Sequence, residues 1–303
     1  MQAMILAAGF GTRLKPYSLI KPKPLFPVLN VPLLRLTIDH LKSSGFQRIT
    51  VNCHHLRDQI IEEIELVDGV IIQDEETILG TGGGLRQALA HLDDDPLLVT
   101  NGDIYHSIDL GKIYTQHLKT AADVTMVLHD HSRFNTVSAV ENRITGFDGG
   151  QKGNCLAYTG IQVINPHTLM EIKTGVYSCI IDHYRHLLRS GKSIHSVVAE
   201  DIFWSYMGTP DDYLSLHEAL LAGSVPLWPQ FGVQPETGLL IDEGCVLGQG
   251  CTFEGWNCVG EAHLGDHVQL SRTVVWDEAR IPSDSRIKNS IVVPGGTGSL
   301  QAE

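Results

Sequence analysis

The chain has 303 residues, enough for one large domain and a smaller one, and its 43% hydrophobic and 19% charged residues are ordinary for a soluble globular protein. No apolar run approaches the roughly 20 residues that span a bilayer, and the N-terminus lacks the basic start of a signal peptide, so we expect a cytoplasmic protein with no membrane partner. The formal net charge of -13 predicts repulsion from polyanions and argues against nucleic acid as a partner.

The first two-thirds of the chain alternates short apolar runs with amphipathic segments. The strand candidates are AMILAAG, RITVNC, GVIIQDE and PLLVTNGD, and the helix candidates are PLLRLTIDHLKSSG, LRDQIIEEIEL, GGGLRQALAHL and DDYLSLHEALLAG. This alternation predicts an α/β fold with a mostly parallel sheet. Ligands of such sheets bind beyond the carboxyl ends of the strands, so the residues that follow the strands are the candidate site residues.

The pattern changes after residue 224. Residues 225–238 contain three prolines and little periodicity, and they are predicted to be a linker. From Ile241 to Ile287 an apolar residue recurs at steps of five or six residues. A period of about six suits a parallel β-helix, in which each hexad forms one side of a triangular coil. The alternative is a small sheet of a few antiparallel strands.

The first 38 residues contain no Asp or Glu, although the chain as a whole is acidic. Residues 9–13 (GFGTR) follow the first strand candidate, and glycines there let the backbone approach a ligand and direct amide groups at phosphate oxygens. Arg13 can bind an anion in bidentate fashion. The alternative is a simple turn between a strand and a helix. A dinucleotide-binding loop is disfavoured, because the third glycine of G-x-G-x-x-G is replaced by Leu14.

A second cation, Lys23, lies between Pro22 and Pro24. The two prolines stiffen the backbone around the lysine, which lowers the entropy lost when its ammonium group engages a charge. The carboxylate-free opening therefore predicts a binding site for a small polyanion.

These residues resemble a known family. The segment LAAGFGTRLKPYSLIKPKPLFPV is similar to the opening motif of the sugar-1-phosphate nucleotidyltransferases, and LGTGGGLRQAL, VTNGDI, YTGIQVINP and MGTPDDY match further family motifs in the same order. The resemblance implies a Rossmann-like nucleotidyltransferase domain over residues 1–224. It also implies that residues 239–303 form the left-handed β-helix of hexapeptide repeats that many of these enzymes carry.

The implied reaction makes an NDP-sugar and pyrophosphate from an NTP and a sugar-1-phosphate, with Mg²⁺ as cofactor. By the same resemblance, Arg13 stabilises the transferring phosphate and the departing pyrophosphate, and Lys23 neutralises the sugar phosphate and the α-phosphate. Gly160 matches the family glycine beside the sugar. The implied nucleotide-binding residues are Ala8, Gly9, Gly11, Thr12, Gln73, Gly80 and Gly82.

Asp103 is the candidate metal ligand. It follows the buried strand candidate in Asn101-Gly102-Asp103, and a carboxylate there can bind Mg²⁺ together with phosphate oxygens and water. The same tripeptide also occurs in simple turns. The family often carries W-x-D-I-G-T-P, whose Asp is the second carboxylate on the metal, but Tyr206 stands at that position here. A neutral phenol is a poor ligand for Mg²⁺.

The family's Glu-Lys-Pro triplet is also missing, and Lys152 is the nearest cation. Two functions therefore stay open. The protein is either an active nucleotidyltransferase whose metal is held by Asp103, phosphates and water, or a weak or inactive relative that binds a nucleotide sugar and regulates a partner. Neither the base nor the sugar follows from these residues.

The tail permits a third function, because hexad β-helices also build acyltransferases that use an interface histidine. His263 and His267 lie in the tail, but histidines on the surface of a scaffold are the favoured interpretation. The open edge of a β-helix invites pairing with another subunit, so we expect a homo-oligomer.

Overall fold

The computed structural model describes residues 1–149, 155–232, 238–295 and 300–301. Lys152 and residues 233–237 of the predicted linker lie outside the described residues. The chain divides into two compact units, the first made of Met1–Phe10 and Thr37–Trp204 and the second of Gly11–Leu36 and Ser205–Glu303. No helix in the described ranges is both long and apolar enough to cross a membrane.

The α-helices of the described residues are α1 (Leu33–Ser43), α2 (Arg57–Ile64), α3 (Gly80–Ala88), α4 (Leu110–Leu118), α5 (Pro166–Leu169), α6 (Ile180–Arg189) and α7 (Pro210–Leu221). The first thirteen strands are β1 (Gln2–Leu6), β2 (Pro27–Val28), β3 (Val31–Pro32), β4 (Arg48–Cys53), β5 (Val70–Asp74), β6 (Leu97–Asn101), β7 (Ile104–His106), β8 (Val124–His129), β9 (Asn135–Val140), β10 (Arg143–Gly146), β11 (Cys155–Ile164), β12 (Ile194–Val198) and β13 (Trp204–Tyr206). Each strand or helix candidate of the sequence contains an element of the predicted type.

The first unit contains a nine-stranded sheet in the order β5-β4-β1-β6-β11-β8-β12-β10-β9. Strands β5, β4, β1 and β6 are parallel, and Ile5 of β1 is in register with Val51 of β4 and Thr100 of β6. Strand β11 is antiparallel to both β6 and β8, so the sheet is mixed. Parallel neighbours need a long crossover, and the described residues between β8 and β11 contain no helix.

The hydrophobic core of the first unit lies between this sheet and helices α3 and α6. Met4, Val99 and Val124 of the strands are fully buried in it, together with Leu85 of α3 and Tyr184 of α6. These two helices bury one apolar stripe each, as expected of helices that cover a sheet. The core holds the parallel strands in place, and their carboxyl ends carry several candidate site residues.

The C-terminal strands of the second unit are β14 (Leu239–Ile241), β15 (Val246–Leu247), β16 (Thr252–Val259), β17 (His263–Leu264), β18 (Gln269–Val275), β19 (Arg280–Ile281), β20 (Arg286–Val292) and β21 (Leu300–Gln301). Strands β14, β16, β18 and β20 form one parallel sheet, and β15, β17 and β19 form another. Only β21 pairs antiparallel among these described strands. The alternative of a few antiparallel strands is therefore wrong.

The register of these sheets follows the apolar series predicted from the sequence. Leu247 is in register with Leu264, and Leu264 with Ile281, each three positions further along the series. Val259 and Leu270 join Leu264 and Ile281 in one buried cluster. Most of the recurring apolar residues therefore form the core of this part of the second unit, as their spacing indicated, whereas Leu247 is exposed.

Helix α7 packs against strands β16, β18 and β20 within the second unit. Its Tyr213 is fully buried and lies edge-on to Phe26, and Phe26 lies edge-on to Trp276 with ring centroids 4.8 Å apart. Phe26 closely follows the proline-bracketed Lys23 along the chain. Tyr213 of α7 and Trp276, which directly follows β18, thus form the aromatic surface against which Phe26 packs.

Candidate active site

In the first unit, the backbone just after β1 is held by a neighbouring strand. The amide of Ala7 donates to Oδ1 of Asn52, the penultimate residue of β4, at 2.8 Å. Ala8 is buried, whereas a Cβ added to Gly9 would meet no atom within 4 Å. The chain is therefore anchored up to Ala8 and open beside Gly9, as an approach to a ligand requires. Asn52 belongs to none of the motifs found in the sequence; its only signal is a polar residue at the end of a buried strand.

Glu75 organises the end of β5. This carboxylate is 2% exposed, and its Oε1 accepts hydrogen bonds from Asn52 Nδ2 at 2.7 Å and from Gln73 Nε2 at 3.3 Å. Its Oε2 accepts from the amide of Leu79 at 3.2 Å. Sequence reasoning also missed Glu75, although it directly follows the strand residues Gln73 and Asp74. The carboxylate joins the ends of β4 and β5 to the segment that leads into α3.

The orientation of Gln73 follows from the same contacts. Its Nε2 also donates to the carbonyl of Gly84 at 3.0 Å. Its Oε1 is buried and accepts no hydrogen bond from the described residues. Because both donors of the amide are used within the protein, the unpaired Oε1 is the atom left for a further hydrogen bond, as an acceptor.

The glycines at the start of α3 pack closely against residues 176–178. A Cβ on Gly80 would lie 2.7 Å from the carbonyl oxygen of Ser178, and one on Gly82 would lie 2.9 Å from Ser178 Oγ. The amide of Gly82 donates to the Ser178 carbonyl at 2.8 Å. Packing within the protein thus accounts for these two glycines, and their contact with a nucleotide stays a prediction.

Asp103 lies just beyond β6 and is half-buried. The preceding Gly102 donates its amide to the carbonyl of Leu6 at 2.9 Å, which joins this turn to the end of β1. Asn101, also at the end of β6, packs over Gly160, where a Cβ would lie 2.6 Å from Asn101 Nδ2. The described residues contain no group of three or more His, Cys, Asp or Glu arranged to hold a metal ion. Asp103 could therefore bind a metal only together with ligands from a substrate or water.

In the second unit, Gly11 brings two parts of the opening segment together. Its φ of +61° is left-handed, and it precedes a 3₁₀ turn over Thr12–Leu14 in which the amide of Leu14 donates to the carbonyl of Gly11 at 2.9 Å. A Cβ at this glycine would lie 3.5 Å from Cβ of Lys23. The turn that carries Thr12 and Arg13 therefore lies next to the base of the Lys23 side chain.

Arg13 and Lys23 both contact Tyr206. Arg13 Nη2 donates a hydrogen bond to the Tyr206 hydroxyl at 2.5 Å, and Lys23 Nζ lies 4.0 Å from the centroid of the tyrosine ring. Lys23 is only 7% exposed, which is unusual for a lysine. The two cations predicted from the sequence thus contact the same aromatic residue. In the sequence, this residue is notable only because it replaces the family's second carboxylate.

The hairpin that follows Lys23 is tied to α7 and β16. Leu29 and Asn30 form its turn in left-handed conformations, and the amide of Leu29 donates to Nε2 of His217 at 3.3 Å. Burial lowers the pKa of His217 to about 4, although its hydrogen bonds to carbonyl groups oppose the shift, so the ring is neutral and can accept this bond. Asn30 Nδ2 donates to the carbonyl of Val259 at 2.9 Å. The lysine is therefore followed by a firmly attached turn.

Comparison with known proteins assigns the class. Residues 2–223 match the family model described as Nucleotidyl transferase, so the chain belongs to this family. The resemblance to sugar-1-phosphate nucleotidyltransferases is confirmed, and with it the predicted class of enzyme, which makes an NDP-sugar and pyrophosphate from an NTP and a sugar-1-phosphate.

Two relatives match nearly the whole chain. The chain is 27% identical to a mannose-1-phosphate guanylyltransferase of Mycobacterium tuberculosis over 93% of its own length and 81% of the relative. It is also 27% identical to mannose-1-phosphate guanylyltransferase 1 of Arabidopsis thaliana, over 96% of its own length and 86% of the relative. Among solved structures, HddC of Yersinia pseudotuberculosis has a TM-score of 0.60 at 22% identity and covers 71% of this chain and 97% of its own. This last likeness shows the shared α/β fold.

Proposed function

We propose that the protein transfers a guanylyl group from GTP to mannose-1-phosphate or a closely similar hexose-1-phosphate. The observation that carries this proposal is the pair of cations on Tyr206, in a segment free of carboxylates, as the transfer between two anions requires. The choice of base and sugar is supported by the names of the relatives that match 93% and 96% of the chain. The unpaired acceptor Oε1 of Gln73 also suits guanine, whose Watson–Crick edge carries two adjacent donors.

In this reaction an oxygen of the sugar phosphate attacks the α-phosphorus of GTP. The bond from the α-phosphorus to the bridging oxygen breaks, and pyrophosphate leaves with the electron pair of that bond. Arg13 would stabilise the negative charge on the transferring and departing phosphates. Lys23 would neutralise the sugar phosphate as it approaches. Ala8, Gly9, Gly11 and Thr12 would bind the triphosphate, Gly80 and Gly82 the nucleoside, and Gly160 the sugar.

Asp103 would hold Mg²⁺. A single half-buried carboxylate fits this ion, because Mg²⁺ retains several waters and is commonly bound by one or two carboxylates together with substrate phosphates. When bound, the ion supplies neutralisation of the negative charge on the phosphate oxygens. The neutral hydroxyl of Tyr206 engages Arg13 and has no part in this role.

The tail completes the proposal. We infer that the parallel strands after residue 238 form a left-handed β-helix of hexapeptide repeats, separated from a catalytic domain at 1–224 by a linker at 225–238. Support comes from the two parallel sheets, whose residues are in register at every third position of the apolar series. We expect a homo-oligomer, because β14 and β15 each pair on one side only among the described strands. A cytoplasmic location is proposed on the composition and N-terminus of the sequence alone.

Release of pyrophosphate tests the proposed reaction. The protein is incubated with Mg²⁺, each of ATP, GTP, UTP, CTP and dTTP, and a panel of sugar-1-phosphates. We expect release with GTP and mannose-1-phosphate, abolished by Asp103→Ala and unchanged by Asp94→Ala, which alters an exposed carboxylate of the same unit. Release only with another pair would reject the assigned substrates. No release from any pair, with a nucleotide sugar still bound in calorimetry, would favour the alternative of a regulatory subunit.

A further inference from the structure

Tyr206 makes two different contacts with two cations. Its hydroxyl accepts a hydrogen bond from Arg13, and the face of its ring lies 4.0 Å from Lys23 Nζ. The Arg13 guanidinium carbon lies 5.3 Å from the same ring centroid. All three residues belong to the second unit. One side chain thus holds both charges through both of its polar features, the hydroxyl and the π-face.

The ring is itself held in place by the chain that follows it. The amide of Gly208 donates to the carbonyl of Tyr206 at 2.8 Å, and a Cβ on Gly208 would lie 2.6 Å from Cε1 of the ring. Any larger residue at this position would displace the ring. On the cation side, Gly11 lets the Thr12–Leu14 turn lie against Lys23. Glycines therefore permit close packing both at the ring and at the lysine that it contacts.

A neutral partner has a physical advantage over a carboxylate here. Two cations brought together in a partly buried place repel one another, so they need a partner that attracts both. A carboxylate would do so, but it would cancel part of their charge and compete with phosphate oxygens for the same donors. A phenol attracts both cations through its oxygen lone pair and its ring, and it leaves the net charge of +2 available to a polyanion.

We propose that Tyr206 is a positioning residue that holds Arg13 and Lys23 in place for the polyphosphate of the nucleotide, and so raises the affinity of the protein for pyrophosphate groups when no metal is bound. This role rests on the nucleotidyl transfer proposed above. The tyrosine acts through the two cations and does not itself bind the substrate or the metal. Its effect must therefore depend on the presence of Arg13.

The test measures binding of inorganic pyrophosphate by calorimetry, without divalent metal and at low salt, to the full-length protein. We expect Tyr206→Phe, which removes the acceptor and keeps the ring, to weaken binding about tenfold. Tyr206→Leu removes the ring as well, and we expect it to bind pyrophosphate about threefold more weakly than Tyr206→Phe does. In the Arg13→Ala background, Tyr206→Phe is expected to change the affinity by less than about twofold. Tyr114→Phe, which removes a buried hydroxyl bonded to Pro96 in the first unit, is the matched control and is expected to leave the affinity unchanged.

Three results would overturn this role. They are an unchanged affinity in Tyr206→Phe, an equal loss with and without Arg13, and an equal affinity of the Phe and Leu variants, which would remove the part played by the ring. Thermal unfolding of each variant shows whether it is folded, and the near-isosteric Tyr206→Phe keeps the test available if Tyr206→Leu does not fold. Failure of the unmodified protein to release pyrophosphate in the assay described above would instead reject the proposed reaction itself.

Discussion

The indole nitrogen of Trp276 donates a hydrogen bond to the hydroxyl of Tyr213 at 3.1 Å. Tyr213 in turn donates to the carbonyl of Pro27, a few residues after Lys23. A tryptophan that directly follows β18 therefore supports, through one tyrosine of α7, the backbone that follows a predicted catalytic lysine. The C-terminal strands are thus part of the structure that holds the opening segment of the second unit.

Trp276→Phe is expected to lower the free energy of unfolding by about 2 kcal/mol, because it removes a buried donor and opens a cavity beside Tyr213. Urea denaturation measures the change. Trp256→Phe is the matched control, since Trp256 is also buried in the second unit but its indole nitrogen makes no hydrogen bond among the described residues. Equal losses in the two variants would show that the bond to Tyr213 contributes nothing beyond the volume of the ring.

The neutral state of His217 predicts a dependence of stability on pH. Its pKa in the folded protein is about 4, below the ordinary 6.5, because the ring is buried. The unfolded chain therefore takes up a proton as the pH falls below 6.5 while the folded chain does not until about pH 4. The contribution of this residue to stability is thus complete above pH 6.5 and is lost progressively as the pH falls from 6.5 to 4.

Between pH 7 and pH 5, His217 should account for a loss of about 2 kcal/mol in the free energy of unfolding. We expect His217→Gln, which can still accept from Leu29 and donate to Tyr213, to remove this share of the pH dependence. Chemical denaturation at the two pH values measures it, and His263→Gln at an exposed site of the same unit is the control. Burial also lowers the pKa of His106, to about 3. His106 therefore adds to the loss of stability at low pH equally in the unmodified protein and in both variants. An identical pH dependence in His217→Gln and the unmodified protein would contradict the assignment.

The sequence was most informative where the chemistry is local or periodic. The carboxylate-free opening with Arg13 and the proline-bracketed Lys23 could be recognised because these features lie within a short segment. The apolar series after Ile241 predicted parallel strands because each side of a coil repeats the same requirement for a buried residue. Both patterns can be recognised in the sequence without knowledge of the tertiary contacts.

What the sequence did not reveal depends on contacts between distant residues. Arg13 and Tyr206 are 193 residues apart in the chain, and no periodicity or motif pairs them. The buried cluster around Glu75 also unites separate strands, and a carboxylate after a strand looks like a surface charge until its partners are known. The antiparallel insertion of β11 was hidden for a similar reason, since pairing direction is decided by connections and not by the strand's own residues.

Glu75→Gln is expected to weaken the binding of GTP several-fold while leaving the binding of inorganic pyrophosphate unchanged. The substitution replaces one acceptor oxygen by a donor, so that Asn52, Gln73 and Leu79 can no longer all be satisfied, and the Gln73 amide loses its fixed orientation. Calorimetry with each ligand measures the effect, and Glu76→Gln at the exposed neighbouring position is the control. A parallel loss for both ligands would mean that Glu75 supports the phosphate site and not the base.

Gly160 is required by two separate constraints, and a pair of variants can separate them. Its φ is +83°, which disfavours any residue with a Cβ, and a Cβ would also lie 2.6 Å from Nδ2 of Asn101. Gly191 has a similar φ of +77°, but a Cβ there would meet nothing within 4 Å. We expect Gly191→Ala to cost about 1 kcal/mol through backbone strain alone, and Gly160→Ala to cost about 3 kcal/mol because Asn101 must also move. Asn101 lies at the end of β6, two residues before Asp103. When both variants are folded, we therefore expect Gly160→Ala, and not Gly191→Ala, to lower the rate of pyrophosphate release. An equal loss in the free energy of unfolding in the two variants would show that Asn101 moves aside without a penalty and that only the backbone conformation requires the glycine.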